Sequence, residues 1–105
     1  MERIERISRE VLDFNGYEAQ SLIAIEEMSE LIQALSKYRR YGYENASQEI
    51  KDNVIEEIAD VHNMLVQLEM YFDIEKINKV RIEKIERIKG RIEKKKAEMT
   101  GGARE

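Results

Sequence analysis

The 105-residue chain contains no cysteine and no proline, and it has a single histidine. Without cysteine, disulfides, thiolate nucleophiles and zinc–thiolate sites are excluded, and one histidine leaves little from which to build a nucleophilic triad. No apolar run approaches the roughly 18–20 residues that a membrane span needs. The charged opening segment, MERIERISRE, does not have the pattern of a secretory signal. We therefore expect a cytoplasmic protein with no membrane-spanning segment.

Charge is distributed unevenly along the chain, although the formal net charge is only −4. Residues 18–60 hold ten acidic and four basic side chains, whereas residues 74–96 hold four acidic and ten basic ones. The first segment is suited to attract cations and the second to attract anions, and a metal–polyphosphate ligand requires both. On charge alone, the simpler interpretation of the second segment is a solvated helix with ion pairs one turn apart, such as Glu83–Arg87.

The spacing of apolar residues predicts an all-α protein. Isoleucine, leucine, valine and methionine recur every three or four residues, which is the period of an amphipathic helix. Asn15-Gly16 is a turn signal, and Ser47 is a candidate N-cap. We predict a single helical domain over residues 1–98 and a flexible tail over residues 99–105. The predicted helices cover residues 2–13, 17–39, 48–72 and 74–98.

The third predicted helix has a wide apolar face. Its stripe consists of Ile50, Val54, Ile58, Val61, Leu65, Leu68 and Phe72, widened by Ile55, Met64 and Tyr71. An apolar face of this width favours burial on more than one side, and a chain this short buries only a modest core by itself. We therefore expect a four-helix bundle whose helices pack within a homodimer or homotetramer.

Two acidic signatures lie inside the second and third predicted helices, EEMSE at residues 26–30 and EEIAD at residues 56–60. In each signature, two carboxylates three residues apart share one helix face. If the two faces pack together, four carboxylates converge, and they repel each other strongly unless a cation lies among them. Hard divalent cations prefer oxygen ligands, and Mg²⁺ is the usual one where phosphates are handled. The four candidate ligands are Glu27, Glu30, Glu57 and Asp60.

The order and spacing of these signatures resemble the MazG-type all-α nucleoside triphosphate pyrophosphohydrolases. The matching strings are AIEEMSELIQAL at residues 24–35 and IEEIADVHNML at residues 55–65, and a weaker likeness extends over residues 17–92. The resemblance implies an enzyme that uses Mg²⁺, with Mn²⁺ as a substitute, and hydrolyses a (d)NTP to the (d)NMP and pyrophosphate. Such an enzyme would act in nucleotide metabolism, for example in a house-cleaning role.

The four carboxylates would hold one or more Mg²⁺ ions, which neutralise and orient a triphosphate and lower the pKa of an attacking water. An acid that the metal does not fully engage would serve as the general base, and Glu27 and Glu30 are both candidates. Asn63 follows Asp60 by three residues and shares its face, so it is a candidate for binding a water or a sugar hydroxyl. His62 has the wrong phase for ligation, and we expect it on the helix surface.

Basic residues are the candidates for holding the phosphates. In MazG-like relatives the last helix brings basic residues to the triphosphate, and the resemblance implies this role for Lys84, Arg87 and Arg91. Lys37, Arg39 and Arg40, at the end of the second predicted helix, are further candidates, although basic residues also favour the C-terminal end of any helix. Tyr38, Tyr41 and Tyr43 could stack on a base or cover the edge of the core.

Two other functions are consistent with the same sequence. A phosphoribosyl-ATP pyrophosphohydrolase-like enzyme would use the same motif residues, so only its substrates would distinguish it. A non-catalytic helical dimerisation or antitoxin-like module would tolerate neutralisation of the acids. Nucleic-acid binding is disfavoured, because the chain is acidic overall and residues 74–96 lack interleaved aromatic side chains.

Overall fold

The structure, a computed structural model, describes residues 2–104, with side chains described for residues 2–101. The chain forms four helices, which confirms the all-α prediction, and no strand occurs in the described part of the chain. The six residues between the second and third helices form the longest connection. The helices are α1 (Glu2–Asn15), α2 (Tyr17–Tyr41), α3 (Gln48–Phe72) and α4 (Ile74–Arg104).

The chain divides into two compact units, Met1–Phe72 and Asp73–Glu105. The first unit contains α1, α2 and α3, and the second contains α4. Helix α4 continues beyond the predicted end at residue 98, while Glu105 lies outside the described residues. Packing of all four helices as one domain stays a prediction, and so does flexibility of the C-terminal tail.

The predicted turn and cap residues lie next to the helix ends, although α1 and α2 each continue two residues beyond their predicted ends, to Asn15 and Tyr41. Gly16 follows α1 with a φ of 85°, in the left-handed region that favours glycine, and its N–H closes the last turn of α1 at 2.8 Å. Before α3, the Ser47 hydroxyl accepts a hydrogen bond from the Ile50 N–H at 3.3 Å. Before α4, the Asp73 carboxylate accepts one from the Lys76 N–H at 3.1 Å. These local contacts determine where the helices begin and end.

Helices α2 and α3 pack against each other and form most of the first unit's core. Helix α2 contributes Ala24 and Ala34, whose small side chains let the two backbones approach closely. Helix α3 contributes Val61 and Met64, and the other buried apolar residues are Leu12 of α1 and Ala46 of the connection before α3. The interface between α2 and α3 is therefore narrow, and long side chains that enter it must either contact one another or turn outward.

Much of the apolar surface of α2 and α3 lies outside this core. Ile25 and Ile32 of α2 are 64% and 65% exposed, and Ile55 of α3 is 62% exposed. Ile58 and Leu65 of the wide α3 stripe are also exposed. The first unit by itself thus covers only part of the apolar face that the sequence predicts for α3.

A buried hydrogen bond fixes the alignment of α2 against α3. Gln20 Nε2 donates to Gln67 Oε1 at 2.7 Å, and both side chains are buried. Asn15 Nδ2 donates to Gln20 Oε1 at 2.9 Å, which ties the end of α1 to the same pair. Because buried amides must find partners, a shift of one helix along the other would leave these groups unsatisfied.

We predict that Gln20→Leu and Gln67→Leu each lower the free energy of unfolding by about 1–3 kcal/mol, because each leaves one buried amide without its partner. The double variant should lose less than the sum of the two single losses, because it removes both amides together. Urea unfolding followed by circular dichroism would measure all four proteins. Strictly additive losses would mean that the two side chains do not interact.

Candidate metal centre

The buried glutamine pair determines which acids meet across the helix interface. In an antiparallel pair, a step along one helix is matched by an equal step back along the other. Two turns along α2 from the glutamine, Glu27 therefore lies opposite Asp60 of α3. One turn further, Glu30 lies opposite Glu57. The two acidic signatures thus face each other in matching order.

Three of the four signature carboxylates converge. One carboxylate oxygen from each of Glu27, Glu57 and Asp60 lies within 4.8 Å of the other two, and all three side chains are half-buried. Glu30, also half-buried, lines an adjoining cleft together with Glu57. The structure therefore brings together three acids from two helices, with the fourth beside them.

Two oxygen atoms of this cluster have no hydrogen-bond partner. Glu27 Oε2 and Glu57 Oε2 are buried, and no described residue donates a hydrogen bond to either. A buried carboxylate oxygen without a donor or a counter-charge is destabilising. A cation bound among the three acids would compensate the charge of both carboxylates. Because every available ligand atom is a carboxylate oxygen, the site fits hard divalent ions such as Mg²⁺ and Mn²⁺.

The same crowding raises the pKa of two of the acids. The pKa of Glu27 is raised above 4.5, first by desolvation and then by negative charges that include Glu30 and Asp60. The pKa of Glu57 is also raised, first by desolvation and then by the charges of Glu30 and Asp60. Facing carboxyls contribute further, because a hydrogen bond between Glu27 and Asp60, or between Glu57 and Glu30, needs a proton on one partner.

Two clefts lie between α2 and α3, and they share Lys37 and Asn53; the smaller one adjoins the cluster through Glu57. The smaller, of about 260 Å³, is lined by Glu30, Gln33, Ala34, Lys37, Asn53 and Glu57. The larger, of about 820 Å³, is lined by Lys37, Tyr41, Ser47, Glu49, Ile50, Asp52, Asn53 and Glu56. The two shared residues place the clefts next to each other, and we refer to the two clefts together as the groove.

Asn53 and Gln33 also line this groove, and neither is among the site residues predicted from the sequence. Asn53 precedes Glu57 by four residues and Gln33 follows Glu30 by three, so each lies one turn from a signature acid on the same side of its helix. That spacing is the signal that would have found them. The predicted Asn63 is exposed and lines neither cleft, and His62 is exposed on α3 as expected.

The basic candidates Lys84, Arg87 and Arg91 are exposed side chains of α4, in the second unit. Lys84 lines a shallow groove on that helix that also contains Arg81. Among the described residues of α4, the only ion pair is Lys89–Glu93 at 3.8 Å, and the expected Glu83–Arg87 pair does not form. A role for these three basic residues in phosphate binding stays a prediction.

No family model, curated protein or solved structure matches this chain. The resemblance to MazG-type enzymes therefore depends on the two acidic strings alone and stays a prediction. Among the described residues, no helix combines the length and hydropathy needed to cross a membrane.

We predict that the metal-free protein loses stability as the pH rises through the raised pKa values of Glu27 and Glu57. A carboxyl with a raised pKa in the folded state stabilises the fold fully only below its unfolded value of 4.5, and that stabilisation is lost as the folded group ionises. Thermal unfolding in EDTA between pH 4 and 8 would measure the loss. The Glu27→Gln/Glu57→Gln double variant should lack it, whereas the exposed control Glu26→Gln should keep it. An unchanged slope in the double variant would assign the dependence to other groups.

Proposed function

We propose that this protein is a divalent-cation-dependent nucleotide pyrophosphohydrolase that converts a (d)NTP to the (d)NMP and pyrophosphate. The observation that carries the proposal is the cluster of three carboxylates with two unsatisfied buried oxygens, which opens onto a lysine-containing groove. The order of the two acidic signatures, similar to that of MazG-type enzymes, supports the same reaction. Apart from Lys37, the groove is lined by acids and neutral side chains. The proposed reaction therefore depends on the acids and on this lysine.

Each acid has a distinct part in this proposal. Glu27, Glu57 and Asp60 would hold the cation, Mg²⁺ or Mn²⁺, because their oxygens already converge. When bound, the ion would supply charge neutralisation for the phosphates and a lower pKa for water. Glu30 lies outside the set of three converging oxygens and lines the cleft, so it is free to accept a proton from the attacking water as general base. Of the two candidates for the general base, Glu27 and Glu30, the proposal therefore selects Glu30.

A phosphoribosyl-ATP pyrophosphohydrolase-like activity would use the same acids in the same roles, and substrate profiling separates the two. A non-catalytic dimerisation or antitoxin-like module is the remaining alternative. The unsatisfied oxygens argue against that alternative, because purely structural acids on an exposed helix surface would turn outward into water. Both enzymatic versions therefore account for the cluster better than a structural role does.

We predict that the purified protein releases pyrophosphate and a monophosphate from at least one common NTP or dNTP in the presence of Mg²⁺. Glu57→Gln and Glu30→Gln should each lower kcat by about 100-fold or more, the scale of losing a positioned acid or base. Anion-exchange separation of the products would measure both effects. The exposed neighbour of the cluster, Glu26, provides the matched Glu26→Gln control, which should keep full activity. Diphosphate and phosphate as products, or full activity in Glu57→Gln, would contradict the proposal.

The exposed isoleucines support the further proposal of a homodimer or homotetramer. Each signature acid has an isoleucine two residues away, and two residues correspond to nearly opposite sides of a helix. The four isoleucines are exposed, so each of the two helices has an apolar surface that lies away from its carboxylates. A second copy can cover that surface and leave the groove open. The pairs are Ile25–Glu27, Ile32–Glu30, Ile55–Glu57 and Ile58–Asp60.

We predict that light scattering coupled to size-exclusion chromatography finds at least a dimer, and that Ile32→Glu/Ile58→Glu shifts it to monomer. Two buried charges without partners are far less favourable in an interface than two isoleucines. The control is Ala19→Glu, which adds charge at another exposed position of α2 and should leave the assembly unchanged. A monomeric wild-type protein at micromolar concentration would contradict the prediction.

A further inference from the structure

The groove between α2 and α3 has a single cationic side chain in its lining, that of Lys37. Lys37 follows Glu30 by seven residues, two helical turns, so both lie on the same side of α2. It is the point where the small cleft beside the carboxylates meets the larger cleft near Tyr41. The position of the lysine is therefore fixed by the helix that also carries the acids.

Lys37 is exposed and forms no ion pair within 4.0 Å among the described residues. Five acidic side chains line the same two clefts, yet none of them approaches its ammonium group this closely. A lysine ammonium offers three hydrogen-bond donors and a full positive charge. An unpaired cation next to an acidic cluster is available to an anionic ligand. The five acids are Glu30, Glu49, Asp52, Glu56 and Glu57.

The charges of the groove indicate which part of a nucleotide fits the larger cleft. The larger cleft is lined by three acids, including Glu49 and Asp52, and Lys37 is the only cation in its lining. Phosphates would be repelled from that cleft, whereas an uncharged nucleoside would not. The large cleft also offers Tyr41, which is 56% exposed, and Ile50 as surfaces for an aromatic base.

We infer that Lys37 is a substrate-binding residue that holds the phosphate chain between the carboxylate cluster and the larger cleft, with the nucleoside lying in the larger cleft against Tyr41. The inference rests on the proposed function and adds to it an orientation of the substrate. It assigns phosphate binding to a residue of the first unit, on the same helix as Glu27 and Glu30.

The test is equilibrium binding of two Mg²⁺-complexed probes, measured by calorimetry. One probe is a nucleoside triphosphate with a CH₂ group in place of the α,β-bridging oxygen, tried with each common base. The other is inorganic tripolyphosphate, which has no nucleoside. The variants are Lys37→Gln, Lys37→Arg and Tyr41→Ala. The matched control is Lys51→Gln, which removes the same charge from a residue of α3 that lines neither cleft.

We expect Lys37→Gln to raise the Kd of both probes roughly 10- to 100-fold, the effect of losing a charge-assisted hydrogen bond. Lys37→Arg should recover most of that loss, because it keeps the charge. Tyr41→Ala should raise the Kd of the nucleotide probe alone. In the hydrolysis assay, Lys37→Gln should raise KM more than it lowers kcat. A purely structural role of the lysine would not produce this difference between the two constants.

Each outcome separates this inference from the proposed function. If the wild-type protein releases pyrophosphate but Lys37→Gln binds both probes as Lys51→Gln does, the inference fails and the proposed function stands. If Lys37→Gln loses affinity for the nucleotide but not for tripolyphosphate, the lysine contacts the nucleoside and the inferred orientation is wrong. If the wild-type protein binds neither probe and releases no pyrophosphate, the proposed function fails and the inference fails with it.

Discussion

Carboxylates that face one another across a helix interface are the constraint on which the rest of this structure depends. Glu27 and Glu57 each keep one buried oxygen without a hydrogen-bond donor, and desolvation raises the pKa of both. Such an arrangement opposes folding, so other contacts must hold the helices together. The buried alanines Ala24 and Ala34 flank the acids of α2 and let the backbones approach. The buried pair of glutamines then fixes the alignment in which the acids meet.

Each helix of the α2–α3 pair has two sides of opposite character. On one side, acids, an asparagine and a lysine line a groove that suits a cation and a phosphate chain. On the other, isoleucines are exposed as they are on an uncovered interface. Because the two side chains of each acid–isoleucine pair lie two residues apart, one amphipathic helix supplies both surfaces. Association through the apolar side would stabilise the protein and so offset part of the stability lost through repulsion among the acids.

The sequence was sufficient to predict the helices, because their signals are local. The α3 bounds match the predicted range of 48–72, and Ser47 caps that helix as expected. Apolar periodicity also indicated which acids share a face. It could not indicate the alignment of α2 against α3, since that depends on a buried contact between side chains 47 positions apart in the chain. The sequence predicted that the four signature acids would converge. It did not indicate that Glu30 would lie beside the other three, or that Lys37 and Asn53 would line both clefts.

Under the proposed function, cation and substrate binding must depend on each other. The four signature acids and three further acids of the larger cleft outnumber the single groove lysine, so the metal-free groove repels a triphosphate. One ammonium group cannot reverse the sign of that field by itself. Affinity for phosphate therefore has to rise with the concentration of the divalent ion, and by linkage the phosphate must raise affinity for the ion by the same factor. The raised pKa values of Glu27 and Glu57 extend this coupling to protons, since a protonated carboxyl is a poor metal ligand. Low pH therefore weakens the binding of the cation, and with it the binding of the substrate.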